Sequence, residues 1–381
     1  MFDPKTRFKL FKLNKHFCSA PWNLLYVHVD GTVKPCTRSK NPIGDLNHTS
    51  IQDILGNNEY IKLRKDILED KVTDNCKRCL GFENTVEIGK FESLRNHYNT
   101  QCMYSSVDHT DPAQFKLVTV DLHWSSVCDL KCVTCWHGQS SSIAREQGMP
   151  VLHTPTEVAN NVIEYITSNQ SEIKEIYLSG GEPTLIKYNA KLLQQIDKRE
   201  DLLIRVNTNM QWNQDNAIIQ EVLKFPNVLF TCSVDGIGEK FDYIRRGGNW
   251  QKCLDNLNFL KNQHVKLRAN TVFFVLTAQE LPSIINFFME EMDAIDHTIN
   301  QISMGQDKLR CRNLPKNIKE KVLTGLEESL EKYKDNLNIS GCLKNCLIEL
   351  DNPIEDDYRE YFDGIDKLQG SNWRSLYPEL V

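Results

Sequence analysis

No stretch of this chain approaches the roughly 18 consecutive apolar residues that a membrane-crossing helix needs, and the longest apolar runs, such as Val272 to Leu276, are strand-sized. No membrane span is therefore expected. The sequence also lacks a surplus of positive charge. Its 45 Lys and Arg against 51 Asp and Glu give a formal net charge of -6, which offers no global field for nucleic acid or an anionic lipid surface, and neither is expected as a partner. A secretory core is missing too: Lys5, Arg7, Lys9, Lys12 and Lys15 interrupt the apolar residues of Met1 to Lys15, so a cytoplasmic location is expected. There is no internal repeat and no low-complexity run. With 40% hydrophobic and 25% charged residues, disorder, collagen and coiled coil are poor descriptions, and 381 residues leave room for about two or three globular domains.

What the chain has in quantity is cysteine, thirteen in all. Without a secretory signal, that number points to metal ligation or catalysis rather than to a disulfide framework. The cysteines are grouped. Cys18, Cys36, Cys76 and Cys79 lie early, Cys128, Cys132 and Cys135 form a tight trio, and Cys342 and Cys346 sit late. Cys102, Cys232, Cys253 and Cys311 stand alone, and a lone cysteine reads as a small buried apolar residue.

From about Lys116, short β-rich runs alternate with helical stretches, the pattern of consecutive parallel strand and helix units. Six strands are expected: Leu117 to His123, Glu175 to Leu178, Leu203 to Val206, Val228 to Val234, Val265 to Val275 and Thr298 to Ser303. Helices are expected near Pro155 to Ser168 (Thr154 as N-cap, Pro155 at the first helical position), Lys187 to Lys198, Asp215 to Leu223, Trp250 to Lys261 and Gln279 to Met292. Residues 1–85 read as a small separate module, with a hairpin around Asp30-Gly31 and a helix near Glu59 to Leu68. Residues 86–115 read as a linker, 116–312 as the α/β body, and 313–381 as one long helix, Lys316 to Tyr333, followed by an irregular tail. Parallel order suits either an open doubly wound sheet or a partial barrel.

Directly after the first of these strands comes Cys128-Asp-Leu-Lys-Cys132-Val-Thr-Cys135. Three thiolates on one loop can hold three irons of a four-iron cluster and leave the fourth open to a small molecule; zinc is the alternative at this spacing alone. After the second strand comes Ser179-Gly180-Gly181-Glu182-Pro183, where two glycines allow close backbone approach and a carboxylate can receive an ammonium group. Together the two segments resemble the radical S-adenosylmethionine (radical SAM) superfamily. That resemblance implies a partial (β/α)6 TIM-like barrel and a [4Fe-4S] cluster whose open iron binds SAM. It further implies contacts to SAM from Asn207, Thr208 and Asn209, from Ser233 and Asp235, and from Arg245 to the SAM carboxylate. The sequence departs from the family where an aromatic often precedes the third cysteine; here that residue is Thr134, and Trp136 is the substitute adenine platform. Whatever the name, these polar groups all fall at carboxyl ends of successive strands, where ligands bind in both parallel architectures.

The early cysteines, in Cys18-Ser-Ala-Pro-Trp22, Asp30-Gly31-x-Val-x-Pro-Cys36 and Cys76-Lys-Arg-Cys79, resemble the SPASM or twitch module of many radical SAM enzymes. As chemistry alone, four such thiols suit zinc equally well. The resemblance implies an auxiliary iron-sulfur cluster, [4Fe-4S] in type, that passes or receives electrons, although such modules usually follow the barrel and this one precedes it. It also implies a flavodoxin- or ferredoxin-type reductant and a peptide or small-molecule substrate. The absence of a winged-helix leader-binding segment ahead of the module weakens the peptide reading without removing it. Cys342-x-x-x-Cys346 is a candidate hydrogen donor, although pairing at helical spacing or plain burial is the simpler reading, and His123 and His137, which flank the cluster loop, read as structural residues. A non-catalytic electron carrier or zinc-stabilised scaffold is the rival outside enzymes.

Overall fold

The computed structural model describes residues 16–77, 79, 94–101, 106–302, 305–351 and 357–381. Met1 to Lys15, Cys102 and Ser303 lie outside them. The chain divides into two compact units, one of Met1–Val127, Pro150–Val206 and Asp215–Val228, the other of Cys128–Met149, Asn207–Gln214 and Leu229–Val381.

In the first unit the strands are β1 (Leu24–Val27), β2 (Thr32–Lys34), β3 (Gly44–Asp45), β4 (Thr119–Leu122), β5 (Glu175–Leu178) and β6 (Leu203–Thr208), in the spatial order β3-β2-β1-β4-β5-β6. β2 is antiparallel to both β1 and β3, and Gly31, at φ +83°, makes the tight turn between β1 and β2. β1 then pairs parallel with β4, β4 with β5 and β5 with β6. The early hairpin thus extends the sheet edge, a pairing across some ninety residues of chain that no local pattern announces. Within the stretch expected as a linker lies a helix, Leu94–Gln101, with Tyr98 and Asn99 buried.

One face of this sheet is apolar. Val120, Leu122, Ile176, Leu178, Ile204 and Val206 are all fully buried, as are Val162 and Leu192 on the helices Thr156–Ser168 and Lys187–Gln195 that connect the strands. The other face is not. The register aligns Tyr26, Asp121, Tyr177 and Arg205 across β1, β4, β5 and β6, with Glu175 two residues before Tyr177. Strands buried on both faces are ordinarily apolar on both, so this polar row is an exception.

The second unit carries β7 (Val228–Ser233), β8 (Lys266–Phe273) and β9 (Asp296–Gln301), parallel and adjacent in that order. Three parallel strands in each unit, β4 to β6 and β7 to β9, match the six strands expected from the sequence, and the fold is mixed α/β. Three local expectations need correction. Pro155 occupies the N-cap position of its helix, while the Thr154 hydroxyl lies 3.4 Å from the carbonyls of His28 and Val29. The helix expected up to Met292 changes at Phe287 into a π-helical turn, Phe287–Glu291. The tail expected to be irregular is helical over Leu337–Leu350, Arg359–Gln369 and Trp373–Leu376. Leu337–Leu350 packs on β9, which buries Cys342 and Cys346. No helix among the described residues is long and apolar enough to cross a membrane.

Candidate functional site

The loop of Cys128, Cys132 and Cys135 has almost no regular structure, so its backbone groups need other partners. They have them. Ser142 Oγ donates to the Cys128 carbonyl at 2.8 Å, and Ser140 Oγ donates to the Leu130 carbonyl at 2.6 Å. The backbone N–H groups of Lys131 and Val133 donate to the carbonyls of Arg246 and Ile244, at 2.8 and 2.9 Å. The Tyr361 hydroxyl donates to the Val133 carbonyl at 2.7 Å. Glu146 ties both sides together through Lys131 (2.9 Å) and Arg246 (2.8 Å). The loop is held by its main chain, which leaves the three sulfurs to other uses.

Around those sulfurs the second unit places three of the residues that the sequence singled out, Asn209, Arg245 and, through Arg245, Asp235. Asn209 Nδ2 donates to Asp129 Oδ1 at 2.7 Å and lies 4.0 Å from Cys128 Sγ. Arg245 Nη1 lies 3.9 Å from Cys132 Sγ, and Nη2 is ion-paired with Asp235 Oδ2 at 2.8 Å. Asp235 is itself fixed by accepting the Val272 N–H at 2.8 Å. Arg245, matched by the family resemblance to the SAM carboxylate, is thus already engaged by a buried carboxylate. Burial raises the Cys132 thiol, with Arg245 opposing it, and burial together with Cys132 pushes Cys135 up to about 12. Thr208 Oγ1 accepts the Met210 N–H at 3.1 Å, Ser233 is buried opposite Asn270, and Trp136 is 51% exposed with its ring against His137.

In the first unit, the turn Ser179–Pro183 lies against the backbone that leads into Cys128. Gly181 N–H donates to the Ser125 carbonyl at 2.9 Å, and Glu182 N–H donates to the Val127 carbonyl at 2.7 Å. Gly180 has φ +117°, a conformation that side chains rarely tolerate, and a Cβ on Gly181 would fall 2.2 Å from the Val127 oxygen. Both glycines are therefore required by geometry. Glu182, nearly fully buried, accepts from the Thr184 hydroxyl at 2.8 Å, and Asn189 Nδ2 secures the Pro183 carbonyl at 2.9 Å.

The four early cysteines meet in the same unit. The Cys18 thiol is held well above its ordinary range by burial and then by Cys76, Cys36 and, more weakly, Cys79; burial and Cys79 push Cys36 up to about 12. The N–H of Ala20 points at Cys18 Sγ, and those of Arg38 and Ser39 point at Cys36 Sγ. No disulfide joins the described cysteines. Four half-buried thiols in electrostatic contact, two of them with N–H donors aimed at sulfur, suit thiolates neutralised by bound metal. Among the described residues no group of three or more His, Cys, Asp or Glu side chains stands close enough to hold a metal ion.

The model of the radical SAM superfamily matches residues 122–288, and that of the SPASM iron-sulfur cluster-binding domain matches residues 18–80. The chain belongs to the radical SAM superfamily. Membership implies a [4Fe-4S] cluster and SAM, and the SPASM domain implies an auxiliary iron-sulfur cluster. A curated relative, the "Probable GTP 3',8-cyclase" of Methanocaldococcus jannaschii, is 25% identical over 262 residues, covering 60% of this chain and 84% of that protein. Among solved structures, Streptococcus suis SuiB bound to S-adenosylmethionine aligns at 16% identity and TM-score 0.42, over 58% of this chain and 47% of SuiB. SuiB bound to precursor peptide SuiA aligns at 14% identity and TM-score 0.41, over 61% of this chain and 52% of SuiB. The chain thus spans about half the length of these solved structures.

Several residues of this radical SAM protein escaped the sequence reading: Ser140 and Ser142, Asp129, Glu146, Tyr361 and the row Asp121, Glu175 and Arg205. The serine run was visible as N-cap chemistry ahead of the helix Ser141–Glu146. The others carried no local signal.

Proposed function

We propose that this radical SAM protein is an oxidoreductase that removes a hydrogen atom from a C–H bond of a peptide or protein, with the auxiliary cluster acting in electron transfer. The observation that carries this reading is the contrast between two thiol sets. Three cysteines sit on one braced loop, and four others meet in a half-buried cluster of their own. Held by Cys128, Cys132 and Cys135, a cluster with SAM would supply the one-electron chemistry that breaks a carbon–sulfur bond of the sulfonium.

The protein's own residues hold and position. Cys128, Cys132 and Cys135 ligate the SAM-binding cluster, and Arg245, paired with Asp235, places positive charge beside Cys132. Gly180 and Gly181 bring the Glu182 carboxylate and backbone close enough to receive an ammonium group. Asn207, Thr208, Asn209, Ser233 and Trp136 supply polar and aromatic contacts. Cys18, Cys36, Cys76 and Cys79 hold the auxiliary cluster. A flavodoxin- or ferredoxin-type protein supplies electrons in the cytoplasm.

The SPASM domain supports a peptide substrate. The likeness to a GTP cyclase supports a second reading, in which the substrate is a small molecule. Anaerobic reconstitution with iron and sulfide, followed by SAM and dithionite, should yield methionine and 5′-deoxyadenosine. Failure to form both removes the enzymatic reading. A Cys128→Ala, Cys132→Ala, Cys135→Ala protein should keep about four irons and lose that cleavage.

A further inference from the structure

The polar row on the first unit's sheet contains two buried carboxylates in unlike surroundings. Glu175 has its charge answered twice, by Arg205 Nη2 on Oε1 and by His97 Nε2 on Oε2, each at 2.8 Å. Arg205 also lies over the Tyr177 ring at 3.8 Å. Asp121, only 2% exposed, has a neutral partner, the Ser179 hydroxyl donating to Oδ1 at 3.2 Å. Two carboxylates in one network, one matched by a cation and one not, mark where a proton can be stored. With Arg205 cancelling Glu175, Asp121 is the group left to bind or release it.

The neighbours of Asp121 lead to the early cysteines. Tyr26 faces it in register from β1, Tyr177 from β5, and Tyr98 approaches from the helix Leu94–Gln101; His97, Glu175 and Arg205 are the charged or titratable groups around it. Tyr26 and Tyr98 belong to the apolar cluster of Ala20 and Leu24 against which Cys18 and Cys36 pack. Each of the two tyrosines feels Asp121 and Cys36 together. One layer of side chains therefore separates Asp121 from the auxiliary-cluster ligands.

We propose that Asp121 takes up a proton when the auxiliary cluster on Cys18, Cys36, Cys76 and Cys79 gains an electron, so that electron acceptance there is proton-coupled. This rests on the reading above that the cluster carries electrons. An added electron puts one negative charge into a low-dielectric interior, and a buried carboxylate one side-chain layer away, hydrogen-bonded to a neutral hydroxyl, can answer it by binding a proton. The balance is one electron to the cluster and one proton from solvent or substrate to the Asp121 carboxylate, forming one O–H bond. The interior charge is unchanged. Asp121 is a positioning residue here, acting through the cluster's potential. Its proton affinity fits that role, because burial first, opposed by Arg205 and Ser179, raises its carboxyl to about 7.

The test is a redox titration followed by electron paramagnetic resonance, from pH 6 to 9. It uses the full chain carrying Cys128→Ala, Cys132→Ala and Cys135→Ala, so that one cluster reports. The midpoint should be constant below about pH 7 and then fall by about 59 mV per pH unit, the tenfold change of a one-electron couple. Asp121→Asn should flatten the line, and Asp121→Glu should restore it. A flat line with Asp121 in place overturns the proposal without needing any variant at that position. A slope that persists in Asp121→Asn also overturns it. Failure of SAM cleavage in the wild type would instead refute the proposed function, and the two results are separable because the titration uses neither SAM nor substrate.

Discussion

Gly181→Ala tests whether the Gly-Gly turn is built by close approach. The new Cβ would lie 2.2 Å from the Val127 oxygen and 2.7 Å from the carbonyl carbons of Ser126 and Val127. Side-chain carbons essentially never come nearer than 3.0 Å, so the turn must retreat by about 0.8 Å or more. All three contacts are main chain, and none can rotate away. The retreat breaks the Gly181 and Glu182 N–H bonds to Ser125 and Val127, each contributing about 1 kcal/mol, and adds about 1–3 kcal/mol of strain. A loss of about 3–5 kcal/mol should lower the apparent melting temperature on the order of 10 °C. Displacing the turn by close to 1 Å should also weaken SAM binding by about 100-fold, measured by equilibrium dialysis on the reconstituted protein. Gly364→Ala is the control. A Cβ there meets nothing within 4 Å, in the helix Arg359–Gln369, and should stabilise by about 0.5–1 kcal/mol. If Gly181→Ala melts within about 2 °C of the wild type and binds SAM normally, the close-approach argument is wrong.

Three other expectations follow from named contacts. Because the folded protein holds the Asp121 proton up to about pH 7, against 3.8 for the free side chain, the native state binds more protons between those values. Its stabilising effect is complete at acid pH and is lost as pH rises through 7. Urea unfolding at pH 5 and pH 8 should show wild-type stability falling by about 2–3 kcal/mol relative to Asp121→Asn, and equal pH dependence in the two proteins would contradict it. Glu146→Gln removes the ion pairs to Lys131 and Arg246, so the loop should loosen; reconstitution should give fewer irons per chain and a melting point lower by a few degrees. Cys342 is 1% exposed, and its sulfur accepts the Ile299 N–H at 3.4 Å. Cys342→Ser should leave methionine and 5′-deoxyadenosine yields unchanged and cost about 1–2 kcal/mol of stability, whereas loss of cleavage would give this thiol a part in the chemistry.

Much of the fold was legible because its signals are local. β5 and the helix Trp250–Lys261 fall where composition placed them, and each polar turn follows a strand. The Gly-Gly turn and both thiol sets were legible as candidate ligand groups for the same reason, although spacing and residue type alone left zinc and iron open and the family resemblance chose between them. The helix Leu337–Leu350 was not. Asn, Ser, Gly and Cys make its sequence a weak helix former, and it holds because β9 buries one side and Asn336 accepts the Ile339 N–H at 3.0 Å. Tertiary packing decided it, as it decided the parallel pairing of β1 with β4.

The row on the sheet's second face hid for a different reason, and its cost indicates its role. Asp121, Glu175 and Arg205 each read as an incidental polar residue in a β-rich run, because their partners are far away in sequence. Removing such charges from water is expensive, and well-packed apolar residues in their place would often be neutral or stabilising. Fold stability therefore does not account for them. Glu175 and Arg205 compensate each other, so what their presence secures is the environment of Asp121: a carboxyl facing tyrosines and a hydroxyl, with the neighbouring cation committed to Glu175. A network built for rigidity would have paired that last carboxylate too. Leaving it the exception makes sense where a proton has to come and go beside a group that changes charge by one electron.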